Sequence, residues 1–327
     1  MDFQKSGSGD WNDGLNTVGN KGKGESIWLG FFMYYILDNW ISICEEKLEK
    51  DNLEKYQEIK TNLKKALNTR GWDGRWYKRA YMDNGASLGS MENDECRIDS
   101  IAQSWSVISN AGDNDKKYIS IESLENHLVD KENGIIKLLD PPFEKGKLEP
   151  GYIKAYLPGV RENGGQYTHA SCWAIMAEAM LGFGDNATLL YKMINPIEHT
   201  RTREAVQKYK VEPYAIPADI YGAGNLAGRG GWTWYTGSSS WYYKVGIEYI
   251  LGIRIEEGIM TIKPCIPKEW KEYKIDYLYG NSVYHIIVEN PNGKNTGVSK
   301  IVLNGKEVEN EIKLDKSGGI YTIEIQI

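Results

Sequence analysis

Ile27-Trp28-Leu29-Gly30-Phe31-Phe32-Met33-Tyr34-Tyr35-Ile36-Leu37-Asp38-Asn39-Trp40-Ile41 is the stretch on which the fold turns. Its apolar residues fall almost all round a helical wheel, so a helix here is expected to be buried on most sides. The next segment is patterned differently. Leu53, Tyr56, Ile59, Leu63 and Leu67 recur at helical spacing with Lys and Glu between them, which predicts a helix buried along one stripe. This pairing repeats. Ile101, Trp105 and Ile108 precede Tyr118, Ile121, Leu124 and Leu128; Trp173, Ile175, Met176 and Met180 precede Leu189, Leu190, Met193 and Ile194. A last apolar helix, near Trp241 to Leu251, stops at Gly252, a natural C-terminal cap. Alternating inner and outer helices, about seven in all, predict a double-layered α-barrel or α-solenoid.

After Gly252 the period falls to two. Ile275, Tyr277 and Tyr279 alternate, then Tyr284, Ile286 and Val288, then Tyr321, Ile323, Ile325 and Ile327. Asn304-Gly305 is a hairpin-turn signal. The expected organisation is therefore a mainly α domain over residues 1–251 and a small antiparallel β-sandwich domain over 252–327.

The 327 residues are 41% hydrophobic and 26% charged, enough for a substantial core. A net charge of −6 argues against nucleic acid or an anionic membrane as partner. Aromatics are skewed to rings with a polar edge, 11 Trp and 22 Tyr against 5 Phe, a tilt toward sugar binding. Cys44, Cys96, Cys172 and Cys265 are scattered and form no CxxC pair, which argues against a metal site or disulfide framework. Met1-Asp2-Phe3-Gln4-Lys5 is no signal peptide, and the apolar run Ile27 to Leu37 is too short to cross a bilayer, so a cytoplasmic location is expected.

Four stretches concentrate polar and aromatic groups. Gly9-Asp10-Trp11-Asn12-Asp13-Gly14 reads either as an Asx-type turn or as an aromatic platform beside an acid that can protonate a leaving oxygen. Gly19-Asn20-Lys21-Gly22-Lys23-Gly24-Glu25-Ser26 lacks the lysine that a phosphate loop needs after its second glycine, and reads as a flexible loop ending in Ser26 as a helix N-cap. Tyr152 to His169 is a donor-rich loop running into a buried helix; Val211-Glu212-Pro213-Tyr214 with Asp219 is a turn without legible chemistry. In Trp232-Thr233-Trp234-Tyr235-Thr236-Gly237-Ser238, the hydroxyls at a helix start suit either an anion such as phosphate or plain capping by Ser238 or Ser239.

Taken together, Gly9 to Gly14, Gly22 to Gly30, Arg161-Glu162-Asn163-Gly164 with Gln166-Tyr167-Thr168-His169, and Trp232 to Gly237 resemble glycoside hydrolase family 94, the inverting β-glycoside phosphorylases. The resemblance runs in order along essentially the whole chain. It implies part of an (α/α)6 six-hairpin barrel followed by a small β-domain. It also implies Asp13 as general acid, Trp11, Arg161 and Glu162 along the sugar subsite, and His169, Thr236 and Gly237 on phosphate. Inorganic phosphate would be the co-substrate, with no other cofactor and no metal. Gly228 to Tyr235, Glu212-Pro213-Tyr214 with Asp219, and Ala218 in place of a glutamine look closest to the β-1,2-glucan branch, so the implied substrate is a β-1,2-linked glucooligosaccharide.

The family carries a large N-terminal region ahead of the Asp10 to Asp13 motif that has no counterpart here, and about seven helices fall short of a closed six-hairpin barrel. The expectation is therefore a fragment. Two further readings stay open. One is a catalytically incomplete chain that binds sugar or phosphate, exposing apolar helix flanks and pairing with a missing half or with itself. The other is an inverting hydrolase with Glu162 as the base opposite Asp13.

Overall fold

In the computed structural model, residues 2–47 and 50–327 are described. They include eight α-helices, α1 Ile27–Glu46, α2 Lys50–Thr69, α3 Ser100–Ile108, α4 Asn114–Leu128, α5 Thr168–Met180, α6 Gly184–Met193, α7 Arg203–Tyr209 and α8 Ser238–Lys244, with several small sheets between and after them. The helix beyond the sequence expectation is α7. It is short, capped by the Thr202 hydroxyl, which accepts from the Ala205 N–H, and it ends where Lys210 turns left-handed. Contacts divide the chain into two compact units: Met1–Ala177 with Met193–Ser239, and Glu178–Lys192 with Ser240–Ile327.

In the first unit, α1 packs against α2 and α3, and α3 against α4. Every residue of α3 is buried. Helix α2 buries Leu63 and Leu67 of the expected stripe, with Ala66 beside them, while Leu53, Tyr56 and Ile59 are half-buried. Helix α1 departs from expectation. It buries one face only, Ile27, Phe31, Tyr34, Leu37, Ile41 and Cys44, while Tyr35, Ile36, Trp40 and Ile43 are all more than 40% exposed. Apolar residues on both faces allow double burial without supplying a second neighbour. Its 20 residues also make it long and apolar enough to cross a membrane by length and composition, which the shorter run Ile27 to Leu37 is not. Tyr118, Met180 and Leu189, expected on buried stripes, are likewise exposed.

The helix starts and loops follow local chemistry. The Ser26 hydroxyl accepts from the Leu29 N–H at 3.1 Å and caps α1, as its sequence context predicts. The glycine-rich loop before it is not loose. The N–H groups of Lys21, Lys23 and Gly24 all donate to the Asp83 carboxylate at 2.7–2.8 Å. An internal carboxylate therefore fills the place a phosphate would take. A cluster of Leu15, Val18, Ala80, Met82, Leu88, Cys96, Leu139, Phe143 and Ile153 forms a core beneath the Asp10 to Asp13 turn.

In the second unit, α8 continues as a π-helical stretch, Val245–Ile250, and the chain turns at Gly252, whose φ is +77°. A Cβ at Gly252 would overlap the Lys263 carbonyl, so glycine is needed there for space as well as for conformation. The strands that follow make a three-stranded sheet, Ile253–Glu256, Ile259–Ile262 and Ile312–Lys313, and a five-stranded sheet ordered Glu272–Tyr279, Ser282–Glu289, Ile320–Gln326, Lys300–Leu303, Lys306–Glu307. The hairpin at Asn304-Gly305 forms as read, with φ of +49° and +77° and Leu303 paired to Lys306. The antiparallel expectation fails at one pair. Ser282–Glu289 and Ile320–Gln326 run parallel, Val283 opposite Ile320 and Glu289 opposite Gln326. Residues 290–319 form a crossover holding three short strands, so the chain re-enters the sheet in the same direction.

Candidate functional site

The Asp10 to Asp13 turn is held from behind. The Asp10 side chain is 1% exposed and takes two N–H bonds of 2.6 Å from Arg79. It also accepts the Ser26 hydroxyl at 2.7 Å and the Asn12 N–H at 3.0 Å. Burial alone would raise the Asp10 carboxyl, but Arg79 and these donors hold it below the usual carboxylate range. Asn12 in turn accepts the Gly14 N–H at 3.0 Å and caps the short 3-10 turn Asp13–Leu15. Leu15 is buried in the core beneath. Asp13 is left at the start of that turn, exposed, with its backbone fixed on both sides. Asp10 is a structural partner of the turn.

A second carboxylate completes the support. Asp99 caps α3 through the Ile101 N–H at 2.9 Å, and its other oxygen lies 3.5 Å from Arg79 Nε. Burial pushes Asp99 up to about 6, only partly offset by Arg79.

Strands Gln166–Tyr167 and Asp219–Ile220 pair antiparallel, and Gly230 bridges to Ile220. The Thr168 N–H donates to Ala218 at 2.9 Å and the Ala218 N–H to Trp232 at 2.6 Å. This ladder sets Tyr167, Ala218 and Trp232 side by side, with His169 on the first turn of α5. Trp11, Arg161, Tyr167, His169, Ala218, Trp232, Tyr235, Thr236 and Gly237 line one cavity of about 350 Å³. Five of the seven residues singled out from sequence thus meet. Asp13 and Glu162 are not in the lining: Asp13 lies two residues from Trp11, and Glu162 pairs with Arg161 Nε at 3.3 Å.

The lining is aromatic and tightly interlocked. Trp11 sits edge-on to Tyr167 and His169, at 5.4 Å each, and 5.1 Å from Trp173. The Arg161 guanidinium lies over the rings of Tyr156 at 5.1 Å and Trp232 at 5.5 Å, and its backbone is left-handed, φ +52°. Burial pushes His169 down to about 4, so the imidazole is neutral at pH 7 and can donate one N–H without carrying charge. Burial, reinforced by Glu162, raises Tyr167 to about 12. The Thr236 hydroxyl accepts the Ser238 N–H at 3.0 Å, so it is Thr236 that caps α8.

Tyr167, Ala218, Trp232 and Tyr235 join the cavity although sequence did not assign them roles. Their signal was present in the aromatic density around His169 and Thr236. Their convergence depends on a ladder of two-residue strands too short to read from periodicity.

Residues 1–252 match the model of the glycosyl hydrolase 94 superfamily catalytic domain. The chain is 46% identical to the cyclic beta-(1,2)-glucan synthase NdvB of Rhizobium meliloti over 86% of its own length and 10% of that protein. It is 30% identical to the solabiose phosphorylase of Paenibacillus borealis, covering 98% of this chain and 41% of that one. It is also 30% identical to the N,N'-diacetylchitobiose phosphorylase of Vibrio furnissii, covering 92% and 37%. The chain thus spans well under half the length of each of these relatives. Among solved structures, a sialidase of 15% identity shares the fold at a TM-score of 0.59, over 93% of this chain and 27% of that one.

Proposed function

Because the chain belongs to the glycosyl hydrolase 94 superfamily, we propose that it carries the acid and phosphate side of an inverting β-glucan phosphorylase site, on part of an (α/α)6 barrel. The substrate is a β-1,2-linked glucooligosaccharide; phosphate and the terminal glucoside become α-glucose 1-phosphate and a shortened glucan. The observation that carries this reading is the convergence of Trp11, Arg161, His169, Thr236 and Gly237 on one cavity. These residues come from three segments far apart in sequence, and one of them, Trp11, is two positions from Asp13 in the chain.

The chemistry assigns each group one task. Asp13 protonates the glycosidic oxygen as the bond to the anomeric carbon breaks, a contribution of about 10²–10⁴-fold for a well-placed general acid. Phosphate attacks the same carbon from the opposite face, which inverts its configuration. Phosphate is already anionic, so no second carboxylate is needed to activate it, unlike water in an inverting hydrolase. Glu162 is engaged by Arg161 and Tyr167 and serves to orient the sugar-side wall. Neutral His169 and the Thr236 hydroxyl supply donors to phosphate. Trp11 and Arg161 flank the sugar. The substrate class rests on the likeness to a β-1,2-glucan enzyme at 46% identity.

Release of α-glucose 1-phosphate from sophorotriose and inorganic phosphate tests the proposal. Asp13→Asn should lower it by at least about 10²-fold, and undiminished turnover in that variant would refute the assignment. Glucose release that does not depend on phosphate would favour a hydrolase instead.

A further inference from the structure

We propose that the exposed rings of Tyr214 and Trp234, with the Glu212 carboxylate beside them, form a second carbohydrate subsite that holds the part of a glucan chain extending beyond the cavity. This inference rests on the glucan reading above. Tyr214 is 76% and Trp234 71% exposed, an unusual cost for two large rings unless something covers them. Their centroids lie 6.0 Å apart with planes inclined at 57°, a shallow V. The indole edge is held: Trp234 Nε1–H donates to Glu212 at 3.1 Å. Its backbone is held too, since Trp234 has φ +63°, a left-handed conformation that a bulky residue adopts only when its surroundings enforce it. Ring and backbone are thus fixed before any ligand arrives.

The stretch that carries Trp234 also contributes to the cavity lining. Trp232 and Tyr235, on either side of Trp234 in the chain, both line the cavity and stack on each other at 4.6 Å. Between Lys208 and Trp241 the large exposed apolar residues are Tyr214, Trp232, Trp234 and Tyr235, aromatic rings without an aliphatic side chain among them. A surface built to take a polypeptide helix would present aliphatic anchors at helical spacing. Rings with polar edges beside an acceptor instead match the alternating C–H faces and hydroxyls of a sugar. Glu212 is held below its usual range by its own backbone N–H and by Thr233 and Trp234, so it stays an ionised acceptor. Such a subsite would make affinity grow with glucan length.

Calorimetric binding of a β-1,2-glucose disaccharide and pentasaccharide to the wild type, Trp234→Ala and Tyr214→Ala tests this. The wild type should bind the pentasaccharide more tightly, and each alanine variant should remove about tenfold of that length-dependent gain. Trp234→Phe, which keeps an aromatic face but gives up the bond to Glu212, should fall between the wild type and Trp234→Ala. Unchanged length dependence in both alanine variants overturns the subsite. So does a shift from dimer to monomer in Trp234→Ala with sugar binding intact, which would make the rings a self-association surface. If the wild type releases glucose 1-phosphate while the variants keep the length dependence, the subsite fails and the phosphorylase reading stands. If length-dependent binding needs Trp234 but no glucose 1-phosphate forms, the reverse holds.

Discussion

Arg79 and Asp10 meet through two N–H···O bonds of 2.6 Å each, with both side chains 1% exposed. They are 69 residues apart, and the contact fixes the turn that presents Asp13. The same guanidinium faces Asp99, so one buried cation serves two buried carboxylates. Asp10 takes the better geometry and stays ionised, while burial leaves Asp99 raised to about 6.

Arg79→Met should therefore be far worse than an ordinary core substitution. It strands both carboxylates without a counter-charge, and breaking a buried pair in this way costs about 3–5 kcal/mol. Arg79→Lys keeps the charge but loses the two-pronged grip, so it should fall between the wild type and Arg79→Met. Urea midpoints at neutral pH measure both; a loss under about 1 kcal/mol for Arg79→Met would contradict the geometry.

The pH dependence separates two groups of opposite sign. His169 has its folded value lowered to about 4 from 6.5, so the unfolded chain binds the extra proton between those values. Its contribution is complete above pH 6.5 and is lost as pH falls toward 4, about 2 kcal/mol by pH 5. Asp99 is raised to about 6 from 3.8, so its effect runs the other way: it favours the folded state at low pH and that advantage is lost as pH rises through 6. His169→Gln should therefore flatten the acid-side loss of melting temperature between pH 6.5 and 5. An identical pH profile in the variant would show that His169 is not the group responsible.

Local signals in the sequence proved readable and long-range ones did not. Ser26 as a helix cap and Asn304-Gly305 as a hairpin depend on bonds to near neighbours, and both are found. Arg79 carried no signal, because its meaning lies in Asp10 and Asp99, on separate elements. The Gly19 to Gly24 loop looked flexible because its partner, Asp83, is some 60 residues away. Helix α1 illustrates a different limit: periodicity says which residues are apolar, and only packing says which of them are covered.

The parallel pair in the second unit fails for the same reason. Alternation in Tyr284, Ile286 and Val288 and in Ile323 and Ile325 identifies the strands and their buried faces. Direction depends on how residues 290–319 cross between them, and a two-residue period carries no direction. At the candidate site, the family motifs located Trp11, Arg161, His169, Thr236 and Gly237, while Tyr167 and Trp232 became visible only through the ladder that aligns them.

That ladder has a weak point at Gly231. A Cβ there would overlap the Asp219 carboxylate, and Asp219 is 2% exposed with one oxygen accepting the Trp232 N–H at 3.1 Å. Gly231→Ala must therefore displace Asp219 or Trp232, and with them the strand that sets Ala218 beside Tyr167. Overpacking of this kind costs about 1–3 kcal/mol. Because Trp232 lines the cavity and Asp219 adjoins Ala218, which also lines it, glucan affinity should fall about tenfold as well. Gly237, in the same cavity, has nothing within 4 Å of the position of an added Cβ, so Gly237→Ala should leave the melting temperature unchanged. Thermal melts and glucan titrations of the two variants side by side check the distinction. Equal melting temperatures would mean that the loop around Gly231 yields freely, and that the ladder does not hold the site in place.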